Sequence, residues 1–159
     1  MKLVATQNPV PEDKRRKAAD LLQRRTLLFL TAQLQVHQAH WNVMGEGFLP
    51  LHEMFGDVYD ALDGYVDTMA ERAAQLGLPV EGRAAAVAGI TRDQIGTAKI
   101  LDCQEAIGAV ADILANLSKQ TYAAMEGVDL VTQNIFIDIA QGLDTWLWKV
   151  ERHKEAGDE

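Results

Sequence analysis

Three of the chain's four histidines, an indole and a run of acids fall within one stretch, Val36 to Leu76. The side chains able to do chemistry there are the imidazoles of His40 and His52 and the carboxylates of Asp67 and Glu71. Imidazole with carboxylate is a borderline-to-hard donor set, suited to Fe(II), Mn(II) or Zn(II) and, through the oxygens, to Fe(III). A carboxylate beside an open coordination position also serves as a base for bound water. Two adjacent metals would need a bridging carboxylate, and Glu71 is the natural candidate.

Spacing decides which of these groups can meet. Gly45, Gly47 and Pro50 mark a turn, with His40 just before it and His52 just after, so a helical hairpin brings the two imidazoles together. Asp67 and Glu71 are four residues apart on the second helix and share a face. At about 100° per residue, Asp67 falls roughly 60° from eclipsing His52, so histidine and acids share one broad stripe. Along the axis, however, they are roughly 22 Å apart. One metal ion, with bonds of about 2.0–2.2 Å, cannot be held by both pairs within one chain. Either the pairs are unrelated, or a second copy lies antiparallel across a two-fold axis and its Asp67 and Glu71 meet His40 and His52 here. A two-fold interface would do this twice. The plain alternatives are a surface histidine, a solvated Asp-x-x-x-Glu-Arg face and a core Trp41. No Glu has His three residues on, so the Glu-x-x-His pattern of di-iron centres within one subunit is absent.

The elements that must position these groups are helices. Apolar residues recur at helical spacing from about Glu12 to Val43 and again from Leu49 to Leu76, where Gly77 and Pro79 stop the pattern. A crossover of about 25 residues follows, and Gly82 to Gly89 within it reads as a connection with a short helix of its own. The third helix starts at Asp102-x-x-Glu105, which has the form of a capping box, and ends near Met125. Asp129 can cap the fourth, whose last turns are basic, as the helix dipole prefers. The expected fold is all-α: a four-helix bundle with a long crossover carrying a short extra helix. Residues 1–159 are expected to form one domain, with 1–10 an irregular tail and 155–159 frayed.

Composition narrows the partners. A net charge of −8 over 159 residues argues against whole-surface attraction to DNA or anionic membranes and is compatible with gathering cations. The only basic concentration is Lys14-Arg-Arg-Lys17, with Arg24 and Arg25. A single cysteine, Cys103, excludes an internal disulfide and fits a reducing compartment, where it is expected to be an inert helix-start residue. No apolar run approaches a membrane span, and no signal segment is apparent, so a cytoplasmic protein is expected.

At QAHWN (38–42), Phe48-x-x-x-His52-Glu53-Met54 and DTMAERAAQLG (67–77), the chain resembles the Dps family, the DNA-binding proteins from starved cells or miniferritins. The resemblance implies a ferritin-like subunit and a hollow homododecameric shell. It also implies ferroxidase activity: Fe(II) is oxidised at two-fold interfaces, preferably with hydrogen peroxide, and ferric mineral is stored inside, which protects DNA. By resemblance, His40 and His52 are iron ligands from one subunit, and Asp67 and Glu71 are ligands from the other, Glu71 bridging. Trp41 matches an aromatic beside the centre that takes up stray oxidising equivalents. Pores at three-fold axes would draw on Asp138 and Asp129.

One position departs from the family pattern. The family usually has Asp one turn after the histidine of HEM, and here that place is Gly56. Asp57 points elsewhere, while Asp60 lies nearer the stripe and could reach the site through water. A two-iron centre with one firm and one labile position is therefore expected. DNA binding is expected to be weak and non-specific. The alternative reading is a nucleoid-condensing protein with a vestigial metal site.

Overall fold

In a computed structural model describing residues 2–90 and 98–154, helix α1 spans Glu12–Asn42 and α2 spans Phe48–Gln75. A short α3 (Ala84–Ile90) lies in the crossover, followed by α4 (Cys103–Ala124) and α5 (Leu130–Glu151). The expected all-α bundle with a short crossover helix is what the chain forms. Its four long helices make two hairpins, α1 with α2 and α4 with α5. Pro11, with φ −53°, leads into α1, and Glu12 and Asp13 sit against the positive end of its dipole. Between α1 and α2 the chain turns through Gly45 at φ +123°, a conformation that disfavours a side chain.

The crossover is clipped back onto that turn. Two-residue strands β1 (Val43–Met44) and β2 (Leu101–Asp102) pair in parallel, Val43 opposite Leu101. A bridge this short leaves no periodic trace in a sequence. It sets the start of α4 beside the α1–α2 turn, where Cys103 Sγ donates to the Met44 carbonyl at 3.2 Å and stands against Gly45 and Gly47. The capping box at α4 is complete: Glu105 N–H donates to Asp102 Oδ1 at 2.8 Å, and Asp102 N–H to Glu105 Oε2 at 3.2 Å.

The apolar faces anticipated from spacing are the buried ones. Leu22, Phe29 and Val36 of α1 meet Leu51, Phe55, Val58, Leu62 and Met69 of α2 in one core with Ile107, Val110, Leu114 and Leu143. Phe29, Phe55 and Phe136 are fully buried, each stabilising the fold by about 1.5–3 kcal/mol. Tyr65 packs edge-on to Phe29, and its hydroxyl lies 1.9 Å from where a Cβ on Gly142 would stand. Glycine there lets α2 and α5 close on each other.

Residues 2–10 form no helix, and the segment is docked along the end of α2. Val4 N–H donates to the Gly77 carbonyl at 2.7 Å, and Arg15 holds the Val10 and Leu76 carbonyls at 3.0 and 3.1 Å. The expectation for residues 155–159 lies outside the described residues.

Candidate metal centre

The hairpin brings His40, in the last turn of α1, face to face with His52, in the first turns of α2. Their rings stack with centroids 3.7 Å apart and planes 20° apart. Each is held by the other's backbone: His40 Nδ1 lies 2.6 Å from the His52 carbonyl, and His52 Nδ1 2.9 Å from the His40 carbonyl. A carbonyl only accepts, so both Nδ1 atoms carry a proton, and in the neutral rings Nε2 is the nitrogen with the lone pair that a metal would take. The exchange has a local cause. The last carbonyls of a helix lack an intrahelical donor, and His52 satisfies one of them.

Gly56 lies one turn beyond His52. A Cβ there would stand 3.4 Å from His40 Cε1 and 3.5 Å from Nδ1, in ordinary contact, so the missing side chain leaves room beside the imidazole rather than a closed wall. Asp60, exposed a turn further along, is near enough to His37 to act on its charge.

His37 is the residue that spacing did not single out. Its ring sits between those of Trp41, 4.0 Å away, and Tyr59, 4.1 Å away, and lies 5.4 Å from the ring of His40. Partial burial, then the neighbouring His40, lower its pKa, while Asp60 pulls the other way. Its position three residues before His40 and four before Trp41 was the available signal. Trp41 is 61% exposed and touches the histidine pair through this ring.

Asp67 and Glu71 lie exposed on the same helix, and among the described residues no three metal-ligating side chains converge within the chain. Their outward aim follows from Arg72, whose side chain is locked inward. Arg72 donates to Thr132 Oγ1 at 3.1 Å, to Asp129 Oδ1 at 2.9 Å and to Gln75 Oε1 at 3.2 Å. One residue back, Glu71 lies about 100° around the helix from that buried side chain and is exposed.

Asp129, expected at a pore, is engaged by that arginine and by the α5 N-cap. Its carboxylate accepts from the N–H groups of Val131 and Thr132 and from the Thr132 hydroxyl. Burial pushes its pKa up, but the Thr132 donors and Arg72 outweigh it and hold the carboxyl below its ordinary value. An acid so occupied is poorly placed to line a pore. Asp138 is exposed on α5 and accepts only from Asn134 among the bonds described. The basic concentration is likewise partly spent: Arg15 is buried on backbone carbonyls, and Arg16 pairs with Glu12 at 2.7 Å.

These features belong to a recognised architecture. Residues 19–157 match the family model for the ferritin-like domain, and the chain is a member of that family. Within it the chain belongs to the Dps group. It is 31% identical to the DNA protection during starvation protein of Mycolicibacterium smegmatis, over 91% of this chain and 81% of that one. It is 28% identical to the Agrobacterium fabrum protein of the same name, over 96% and 97%. Among solved structures, Mycobacterium smegmatis Dps in a tetragonal form superposes with a TM-score of 0.87 at 28% identity, covering 99% of this chain and 96% of that one. Dps from Microbacterium arborescens in a high iron form gives 0.84 at 30% identity, covering 94% and 98%. No helix among the described residues is long and apolar enough to cross a membrane.

Proposed function

We propose that this protein is a ferroxidase and iron store that assembles as a homododecameric shell. Its substrates are Fe(II) and hydrogen peroxide. The observation that carries the reading is the reciprocal lock of His40 and His52 through their Nδ1 atoms, which leaves Nε2 as the nitrogen for a metal, while Asp67 and Glu71 stand exposed roughly 22 and 28 Å along the helix from His52. Two antiparallel copies complete two sites, each with an imidazole pair from one subunit and Asp67 and Glu71 of the partner subunit. Harder carboxylate oxygens favour the ferric product, so the donor set helps pull the oxidation forward. Asp67 and Glu71 neutralise the charge that builds up on oxidation, Glu71 bridges where two irons bind, and either takes protons from bound water. With Gly56 adding no ligand beside His40, one iron is held firmly and the second loosely. Asp138 is the pore candidate that remains open to solvent.

Consuming Fe(II) and peroxide together denies both to hydroxyl-radical chemistry, and that is how such a shell protects DNA. Direct DNA binding is the lesser reading, because the net charge is −8, Arg15 and Arg16 are engaged and residues 2–10 are docked on the body. Stopped-flow absorbance of the ferric product after mixing Fe(II)-loaded protein with peroxide tests the first reading. A gel-shift titration at moderate salt tests the second. Rapid oxidation by an assembled shell with no shift is the expected pair of results. Slow oxidation that His52→Ala leaves unchanged would defeat the ferroxidase assignment.

A further inference from the structure

His37 has no part in the ligand set above, yet its place is that of a ligand. It precedes His40 by three residues, the offset by which Glu-x-x-His motifs put two donors on one helix face. Its half-buried ring is flanked by Trp41 at 4.0 Å and Tyr59 at 4.1 Å, which position it. Among the described residues, neither of its ring nitrogens has a hydrogen-bond partner.

Distance decides which imidazoles can share an ion. With metal–nitrogen bonds of about 2.0–2.1 Å, a ring radius of about 1.1 Å and a tetrahedral angle, two such rings stand roughly 5.2 Å apart between centroids. His40 and His52, stacked at 3.7 Å, are too close to meet on one ion as they stand, so each serves a metal of its own. His37 and His40, at 5.4 Å, have the separation that one shared ion requires. This is also where the centre is short of a ligand, because Gly56 lies against the His40 ring and brings no donor. Asp60 is near enough to act on the charge of His37, and the same carboxylate favours a cation beside that ring.

We propose that His37 is a ligand of the second, loosely held metal, sharing one divalent cation with His40 beside Gly56. The proposal deepens the ferroxidase reading above and rests on it. The position so formed is richer in nitrogen than the one His52 shares with Asp67 and Glu71 of the partner subunit. Nitrogen donors suit a divalent ion better than the harder ferric ion, so this position takes up Fe(II) and holds the oxidised product less tightly. Zn(II), which imidazole also suits, occupies the same position without being oxidised.

Two measurements on the assembled protein test this without relying on turnover. Wild-type crystals soaked in Zn(II) should show two anomalous peaks per centre, one of them bonded to both His37 and His40. Calorimetric titration with Co(II) reads the weaker binding step directly. His37→Phe keeps a ring between Trp41 and Tyr59 but offers no donor, and should weaken that step at least tenfold while the first step stays unchanged. Native mass spectrometry checks that the variant shell is intact, and the zinc map of wild type decides the matter if it is not. Zinc that leaves His37 unligated, or a weaker step that His37→Phe does not alter, overturns the proposal. Either result leaves the ferroxidase reading intact, since that stands on peroxide-driven oxidation and its loss in His52→Ala. A wild type that neither binds divalent metal nor oxidises Fe(II) overturns both.

Discussion

Gly56→Asp puts the account of the metal centre at risk more directly than any other change. A Cβ at position 56 would stand 3.4 Å from His40 Cε1, an ordinary contact, so the substitution needs no repacking. Exchanging glycine for aspartate within α2 should stabilise the helix by about 0.3 kcal/mol, so the fold bears almost no cost. The new carboxylate stands beside the imidazole. At about 4 Å and an effective dielectric near 20, a unit charge pair is worth about 4 kcal/mol gross, and a dication doubles that. Desolvation of the carboxylate and the ion returns most of it, and a net gain of about 1.4–2.8 kcal/mol corresponds to ten- to a hundredfold tighter binding. Calorimetric titration with Co(II) or Zn(II) reads the second, weaker binding step, and stopped-flow oxidation reads its kinetic effect. Gly108→Asp is the control, since a Cβ there meets nothing within 4 Å and the same charge is added without contact to either histidine. Equal affinities for wild type and Gly56→Asp, with both shells intact, would refute the claim that position 56 limits the second metal.

Other outcomes follow from the same geometry. His52→Ala and Glu71→Ala should each slow peroxide-driven Fe(II) oxidation by about 100-fold or more in stopped flow, while native mass spectrometry still finds the shell. Asp129→Ala strands buried Arg72 and uncaps α5, and should cost about 3 kcal/mol by chemical denaturation. The Asp129 pKa is lowered in the fold, so its contribution is present above the ordinary carboxylate range and lost as pH falls through the folded value. The melting-temperature gap to Asp129→Ala should therefore close on acidification, and a gap independent of pH would count against the ion pair. Gly142→Ala meets the Tyr65 hydroxyl and should destabilise by about 1–3 kcal/mol, with Tyr65→Phe restoring part of the loss.

What the sequence disclosed was whatever repeats or stops. The periodic apolar positions of α1 and α2, the Asp102–Glu105 box and the glycine turn at 45–47 are local signals, and each element stands close to where they placed it. The meeting of His40 and His52 followed from the hairpin. The exchange of backbone bonds that orients their rings did not, because it depends on register between two helices to within one residue. His37 escaped notice because its neighbours Trp41 and Tyr59 reach it from two helices. Asp129 is legible as the α5 cap and as an acid, and only the fold reveals the arginine 57 residues earlier that takes it up.

The crossed bonds between the two histidines have a consequence for how the site fails. Each imidazole leans on the main chain of its counterpart, so the side chains are propped in opposite directions by a single scaffold. Helix slippage that shortened one prop would lengthen the other, and the pair would lose alignment as a unit. Damage that shifts α1 against α2 by even a fraction of a turn should therefore silence both nitrogens at once, whichever helix was hit.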